Sequence, residues 1–444
     1  MAPAYSMAAV MGLVVAAAGL GAPLALVVST IPIAFIACGF MLLSARYPSA
    51  GAVYSWSRLA FGARTGWFSA MLIIIAYYFG TIATAFPAGV YTLYTLHFIW
   101  PNIPVGPFAI GVAGVLWIAF STYFLIIGAR PTAKLSAFFL AFELISILLL
   151  AGLAFAHPYS GTPHAHAMPL GLGLGVTGAS GLIVGAVLSI WITAGWEIST
   201  YSSEETSKGG STPGAGAIIG LLGTAFIVFI CMVAFMRVGT VAGFTQHQDD
   251  ALAYVADRLG GGWTSWLMVA TVLVSSAASL WTTMFTLARG VFAMGRDRVL
   301  PNTLGAVHPR FGSPANAILL VSIPVIAIML VAGVVTSAQN ELQTVVSGSS
   351  IFLGATFIIT GLACAWMQLR ARGSEPRHPI FGLALPLLGA LLTLAFLIYN
   401  VATQQPKLVQ EFSVAGVILA LLFAVLAGRW SPRFTPAIPA EEEA

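Results

Sequence analysis

The stretch Trp191–Gly210, WITAGWEISTYSSEETSKGG, decides how the rest of the chain is read. It is the centre of a longer run from Ala179 to Ser211. Leu182 to Trp191 is apolar enough to enter a bilayer, but the run then meets the small-residue break Ala194-Gly195 and, at once, the carboxylate of Glu197. Glu204, Glu205 and Lys208 follow, and Gly209-Gly210 ends the helix. If the segment spans, Glu197 lies about 25 Å from its outer end at a rise of 1.5 Å per residue, past the midplane and still inside the hydrocarbon. A charge at that depth costs several kcal/mol unless it faces protein or water. An interrupted backbone is tolerated in lipid only where it lines a cavity. The stretch therefore predicts a cavity, and the cavity predicts a site for a small solute.

Composition agrees with a membrane setting. Of 444 residues, 59% are apolar and only 7% charged, and the mean hydropathy is +0.95. These values exclude a soluble globular chain and predict an all-α, polytopic membrane protein. Cys38, Cys231 and Cys364 all fall inside apolar runs, so neither a disulfide framework nor a zinc spacing is present. The net charge of +4 is spread along the chain and gives no argument for nucleic acid. No cofactor or resident metal is implied.

Apolar runs of spanning length fall at 3–20, 22–45, 66–98, 105–127, 133–156, 180–205, 213–236, 263–288, 314–336, 342–369, 379–401 and 411–429, which makes twelve. With a cytoplasmic N-terminus and alternating sides, fifteen of the eighteen Lys and Arg residues fall on the inside, against Arg237, Arg258 and Lys407 outside. That asymmetry places both termini in the cytoplasm. The first run opens MAPAYSMAAVMG with no basic tail and with Pro3 already inside it. Either the chain starts inside the bilayer or, the favoured reading, translation begins upstream of Met1 and the first helix is truncated at its N-terminus. The tail 431–444 is Pro-rich and acidic and reads as disordered.

Several residues are candidates for chemistry. Glu143, about 15 Å from the cytoplasmic end of its helix and so near the midplane, reads either as a proton or cation site or as a structural partner to a neighbouring helix. Ser275, Ser279 and Thr282 share one face of the eighth helix, where hydroxyls can coordinate a cation or glue helices together. Tyr77, Tyr78, Tyr91 and Tyr94 can face a cavity or pack between helices. Tyr54, Trp56 and Phe61 alternate with Arg58 and Arg64 in an interfacial pattern. In the external segment 157–178, His157, His164 and His166 lack further ligands, and a solvated loop is favoured over a metal site. Ser347, Gly348, Ser349 and Ser350 permit close helix approach or line a pathway.

Three stretches together resemble one family, the amino acid, polyamine and organocation (APC) transporter superfamily. YPSAGAVYSW at 47–56 resembles its Pro-x-x-Gly-Gly-x-Tyr loop, with Ala52 where a second glycine is usual. GWEISTYSSEET at 195–206 resembles its broken sixth helix. ARGVFAMGRDRVLPN at 288–302 with HPRFGSPANAI at 308–318 resembles the end of its eighth helix and the loop that follows.

The resemblance implies a leucine-transporter-like fold: a 5+5 inverted repeat, 1–156 and 179–370, plus two extra helices within 371–430. The first helix of each repeat is unwound at its middle. It also implies substrate contacts around Pro3, Ala4, Tyr5 and Ser6 and around Trp191, Ala194, Gly195 and Trp196. Half-helix amides would meet a carboxylate, unwound carbonyls an ammonium, and Trp191 would form an aromatic lid. Some relatives hold a lysine in the fifth helix in place of a sodium ion, whereas here Lys134 lies at the membrane edge. The expected partner is an amino acid or amine in the plasma (inner) membrane, with proton or sodium coupling open. Protons are preferred because Glu143 and Glu197 are both in the core, with Ser275 and Ser279 as a candidate cation site. The other readings are a transport-inactive remnant or sensor and a membrane-embedded transferase. The last lacks convergent acids and histidines.

Overall fold

The computed structural model describes residues 2–156, 178–206, 211–248, 250–332, 338–371, 378–403 and 407–430. Among these residues every regular element is helical. In order they are α1 (Pro3–Ala18), α2 (Ala22–Arg46), α3 (Val53–Phe61), α4 (Ala63–Ile99), α5 (Pro107–Ile127), α6 (Ala129–Ala156), α7 (Gly178–Thr193), α8 (Ser211–Phe235), α9 (Val241–Gln246), α10 (Ala251–Arg258), α11 (Trp263–Arg296), α12 (Ala315–Ala332), α13 (Ala338–Arg370), α14 (Leu385–Thr403) and α15 (Lys407–Trp430). Among the described residues ten stretches are long and apolar enough to cross a membrane. One of them takes α1 and α2 together, and the apolar stretch Ala315–Val331 is shorter. The external loop with its three histidines, the stretch 207–210 and the tail 431–444 lie outside the described residues.

Helix α4 has 37 residues, so it is about 55 Å long and exceeds the hydrocarbon core. It runs beside α11 through the centre of the bundle. Around this pair, α1 packs on α7, α2 on α8 and α5 on α12, while α14 and α15 lie on the outside against α2, α4 and α13. The outer helices turn rows of Leu and Ile outward, among them Leu391, Ile398, Leu421 and Leu422. Such a surface belongs in lipid, which offers no penalty for apolar exposure.

Three local features differ from the sequence expectation. Pro3–Ser6, where the resemblance implies an unwound first helix, form the first turn of α1. Proline at the first helical position has no amide to leave unpaired and a φ already set for a helix. Second, past the break the chain winds as a 3-10 helix, Glu197–Glu205, rather than resuming an α-helix. Hydroxyls of Thr200, Ser202 and Thr206 donate to carbonyls three or four residues back, at 2.6, 2.7 and 3.0 Å. That back-bonding competes with the regular ladder, and 3-10 winding accommodates it. Third, Tyr54 and Trp56 are buried rather than anchored at an interface: the Trp56 indole donates to Tyr47 O at 2.8 Å and its ring meets Phe40.

Candidate functional site

The first turn of α1 is capped from two other helices. Ala4 N donates to Glu143 Oε1 on α6 at 2.7 Å. The Ser275 hydroxyl on α11 accepts from Tyr5 N at 2.8 Å and donates to the same Glu143 oxygen at 2.7 Å. A helix N-terminus leaves its first amides without intrahelical partners, and a carboxylate there gains both hydrogen bonds and the helix dipole. Glu143 and Ser275, separate candidates in the sequence, are thus one unit that ties α1, α6 and α11 together. Glu143 Oε2 is buried and has no hydrogen-bond partner among the described residues.

The second carboxylate holds the break. α7 stops at Thr193, and Gly195 follows at φ +95°, a backbone state that side chains with a Cβ rarely adopt. Glu197, fully buried, accepts from Gly195 N through Oε2 at 3.0 Å and from the Tyr77 hydroxyl of α4 through Oε1. The interruption therefore has its own internal acceptor, and Tyr77 carries the connection across to α4.

Between these features lies a cavity of about 40 Å³. Ala2, Tyr5 and Ser6 line it from the start of α1, and Trp191, Ala194, Gly195 and Ile198 from either side of the break. Tyr77 and Thr84 face it from α4 and Leu353 from α13. Ser279, Thr282 and Thr283 complete the wall from α11. Trp191 is nearly buried and its ring lies over Gly80, where even a methyl group would come within 3.3 Å of the indole.

Of the residues expected at a binding site, Tyr5, Ser6, Trp191, Ala194, Gly195 and Ser279 meet at this cavity. Pro3 and Ala4 stand behind it in the first turn of α1, and Glu143, Ser275 and Glu197 act on its walls through hydrogen bonds. Trp196 points elsewhere, its ring 4.7 Å from Phe40 and 5.2 Å from Phe357. Thr84 and Leu353 carried no sequence argument of their own. For Thr84 the signal existed: Tyr77, Gly80 and Thr84 recur at helical spacing on one face of α4.

Contacts tie the helices together at both ends of the bundle. At the arginine-rich end, Glu204 takes a two-pronged contact from Arg296, 2.8 Å on each arm, and accepts from Ala50 N at 2.8 Å. Arg289 reaches Glu205 at 2.5 Å and lies over the Phe285 ring. Arg58 pairs with Asp297, which also accepts from Tyr54 at 2.9 Å. The loop 47–52, the end of the 3-10 segment and the end of α11 are thereby stapled together. At the other end α9 and α10 pack on α1. Gly12 there approaches the Gln248 backbone too closely to admit a side chain, and the Tyr91 hydroxyl donates to Asp250 at 2.6 Å.

A family model described as amino acid permease matches residues 2–426. Among similar proteins, a low-affinity putrescine importer of Escherichia coli (PlaP) is 23% identical over 439 residues, covering 95% of this chain and 88% of the importer. A branched-chain amino acid permease of Lactococcus lactis (BcaP) is 24% identical over 323 residues, 70% of this chain and 68% of that one. A mouse protein named cationic amino acid transporter 4 is 28% identical over 270 residues, 60% of this chain and 39% of its own.

Proposed function

This chain belongs to the amino acid permease family, and on that premise we propose that it is a secondary transporter that moves an amino acid or related amine across the plasma membrane by alternating access. The carrying observation is the cavity at the interruption of α7, walled by α1, α4, α11 and α13. A site between the interrupted α7 and the start of α1 is where alternating access places its solute.

The finer architecture follows the same reading. α1 and α2 are two crossings and α12 is another, giving twelve with both termini in the cytoplasm. The pairing of α1 with α7, α2 with α8, α4 with α11 and α5 with α12 supports two inverted five-helix repeats, since four of the five first-half helices meet their counterparts, the fifth, α6, packing on α8 and α11. An ammonium would meet the last carbonyls of α7 beyond that of Trp191, which accepts from Ala194 N, and a carboxylate those amides of the 3-10 segment that Glu197 does not already hold. Opening toward the cytoplasm requires the Arg289, Arg296 and Arg58 pairs to separate. Opening outward requires α9 and α10 to leave α1. Glu143 and Glu197 couple these motions to protons: each carboxylate holds a mobile element, and a protonated carboxyl holds it differently.

The test is purified protein in liposomes. Accumulation of a labelled amino acid or amine under an imposed proton or sodium gradient supports the reading. No accumulation above protein-free vesicles, across a panel of amino acids and polyamines, refutes it.

A further inference from the structure

We infer that the cavity selects small neutral amino acids and excludes diamines and cationic amino acids, an inference that rests on the transporter reading above. Among the described lining residues none is Asp, Glu, Lys, Arg or His. Five of the seven hydroxyls in the wall have their protons committed to protein acceptors, whereas those of Ser6 and Ser279 donate to no acceptor among the described residues. Tyr5 donates to Ala83 O at 2.8 Å, Thr84 to Thr81 O at 2.9 Å, Thr282 to Ser279 O at 2.9 Å and Thr283 to Leu280 O at 2.8 Å. Tyr77 donates to Glu197. The wall is therefore uncharged, with hydroxyl lone pairs to meet an ammonium and the Ser6 and Ser279 hydroxyls left to donate to a carboxylate.

One ammonium, with three donors and its charge balanced by the substrate's own carboxylate, suits such a wall. A second positive charge has no counter-ion there. Both oxygens of Glu197 are already engaged, by Tyr77 and Gly195 N, and Glu143 stands behind the first turn of α1. A buried charge without a counter-ion in the wall is penalised, so lysine, arginine and putrescine are disfavoured. Size acts in the same direction. The cavity of about 40 Å³ accommodates about three water-sized spheres, and Trp191, Tyr5 and Leu353 bound it with bulky groups. Glycine, alanine and serine fit this description better than leucine.

The test is counterflow in proteoliposomes loaded with alanine, with external labelled alanine challenged by serine, leucine, lysine or putrescine. Serine is expected to compete like alanine and leucine less well. Lysine and putrescine should need concentrations at least about 100-fold higher, equivalent to about 2.7 kcal/mol. Competition by lysine or putrescine below that level overturns the inference and leaves the transporter reading standing. Label that fails to accumulate with every compound in the panel overturns both. Ser279→Asp, which sets a carboxylate in the wall, is expected to bring lysine and putrescine within tenfold of alanine, and an unchanged order of competition counts against the inference.

Discussion

Replacing Gly195 by alanine tests the interruption of α7 where it is held. The residue sits at φ +95°, and a Cβ in so sparsely populated a region costs about 1–3 kcal/mol. At 1.4 kcal/mol per tenfold, the population of the broken form falls by about 5- to 150-fold relative to any relaxed alternative. Relaxation has a further consequence, because a shift in φ moves Gly195 N away from Glu197 Oε2, now 3.0 Å away. Glu197 then loses one of its two donors in a fully buried position. The assay is initial-rate counterflow with thermal unfolding of the same preparation. Gly195→Ala is expected to lose most uptake and to unfold at lower temperature. Gly262→Ala is the control: it too imposes a positive φ, +58°, but at the start of α11 with open space around it. It should lower stability and leave uptake intact. Wild-type uptake in Gly195→Ala would refute the role given to the left-handed break.

Other expectations follow from single contacts. Trp191→Ala removes the ring over Gly80 and is expected to abolish uptake with expression retained, with Trp191→Phe intermediate in the same counterflow assay. Glu143→Gln keeps a carbonyl oxygen for Ala4 N and Ser275 but has no titratable proton, so proton-driven accumulation should vanish while counterflow persists; accumulation at wild-type level would exclude Glu143 from coupling. Glu205→Gln leaves the buried Arg289 without its ion pair, a loss of about 1–3 kcal/mol given that Glu205 is half-exposed. Labelling of a cysteine placed at Ser279 from the arginine-rich side should then rise. Ala52, buried at φ +33°, carries strain of about 1–3 kcal/mol against about 0.8 kcal/mol for its buried methyl, so Ala52→Gly is expected to raise the unfolding temperature.

The bundle was legible in the chain because lipid imposes long apolar runs, and the break was legible because Ala194-Gly195 and Glu197 interrupt one of them. Positions along a single helix are also readable, since the spacing of Ser279 and Thr282 puts them on one face. Contacts between helices were not. Nothing in the sequence says that Tyr77 meets Glu197 across 120 residues, or that Ser275 meets Glu143 across 132. Such contacts depend on which helices pack together and in what register. The same holds at the arginine-rich end, where the basic count predicts a side of the membrane but does not say which arginine pairs with which acid. Trp196, one residue past the break, turns to Phe40 and Phe357 rather than to the cavity, an orientation that its position in the sequence does not encode.

The measurement that bears most directly on a solute cavity at the α7 break is equilibrium binding of labelled alanine to the purified protein, wild type against Trp191→Ala. Saturable binding to the wild type, competed by unlabelled substrate and lost in Trp191→Ala while the variant keeps its folded unfolding profile, is predicted. Binding of equal strength in both proteins would place the solute elsewhere and contradict the assignment.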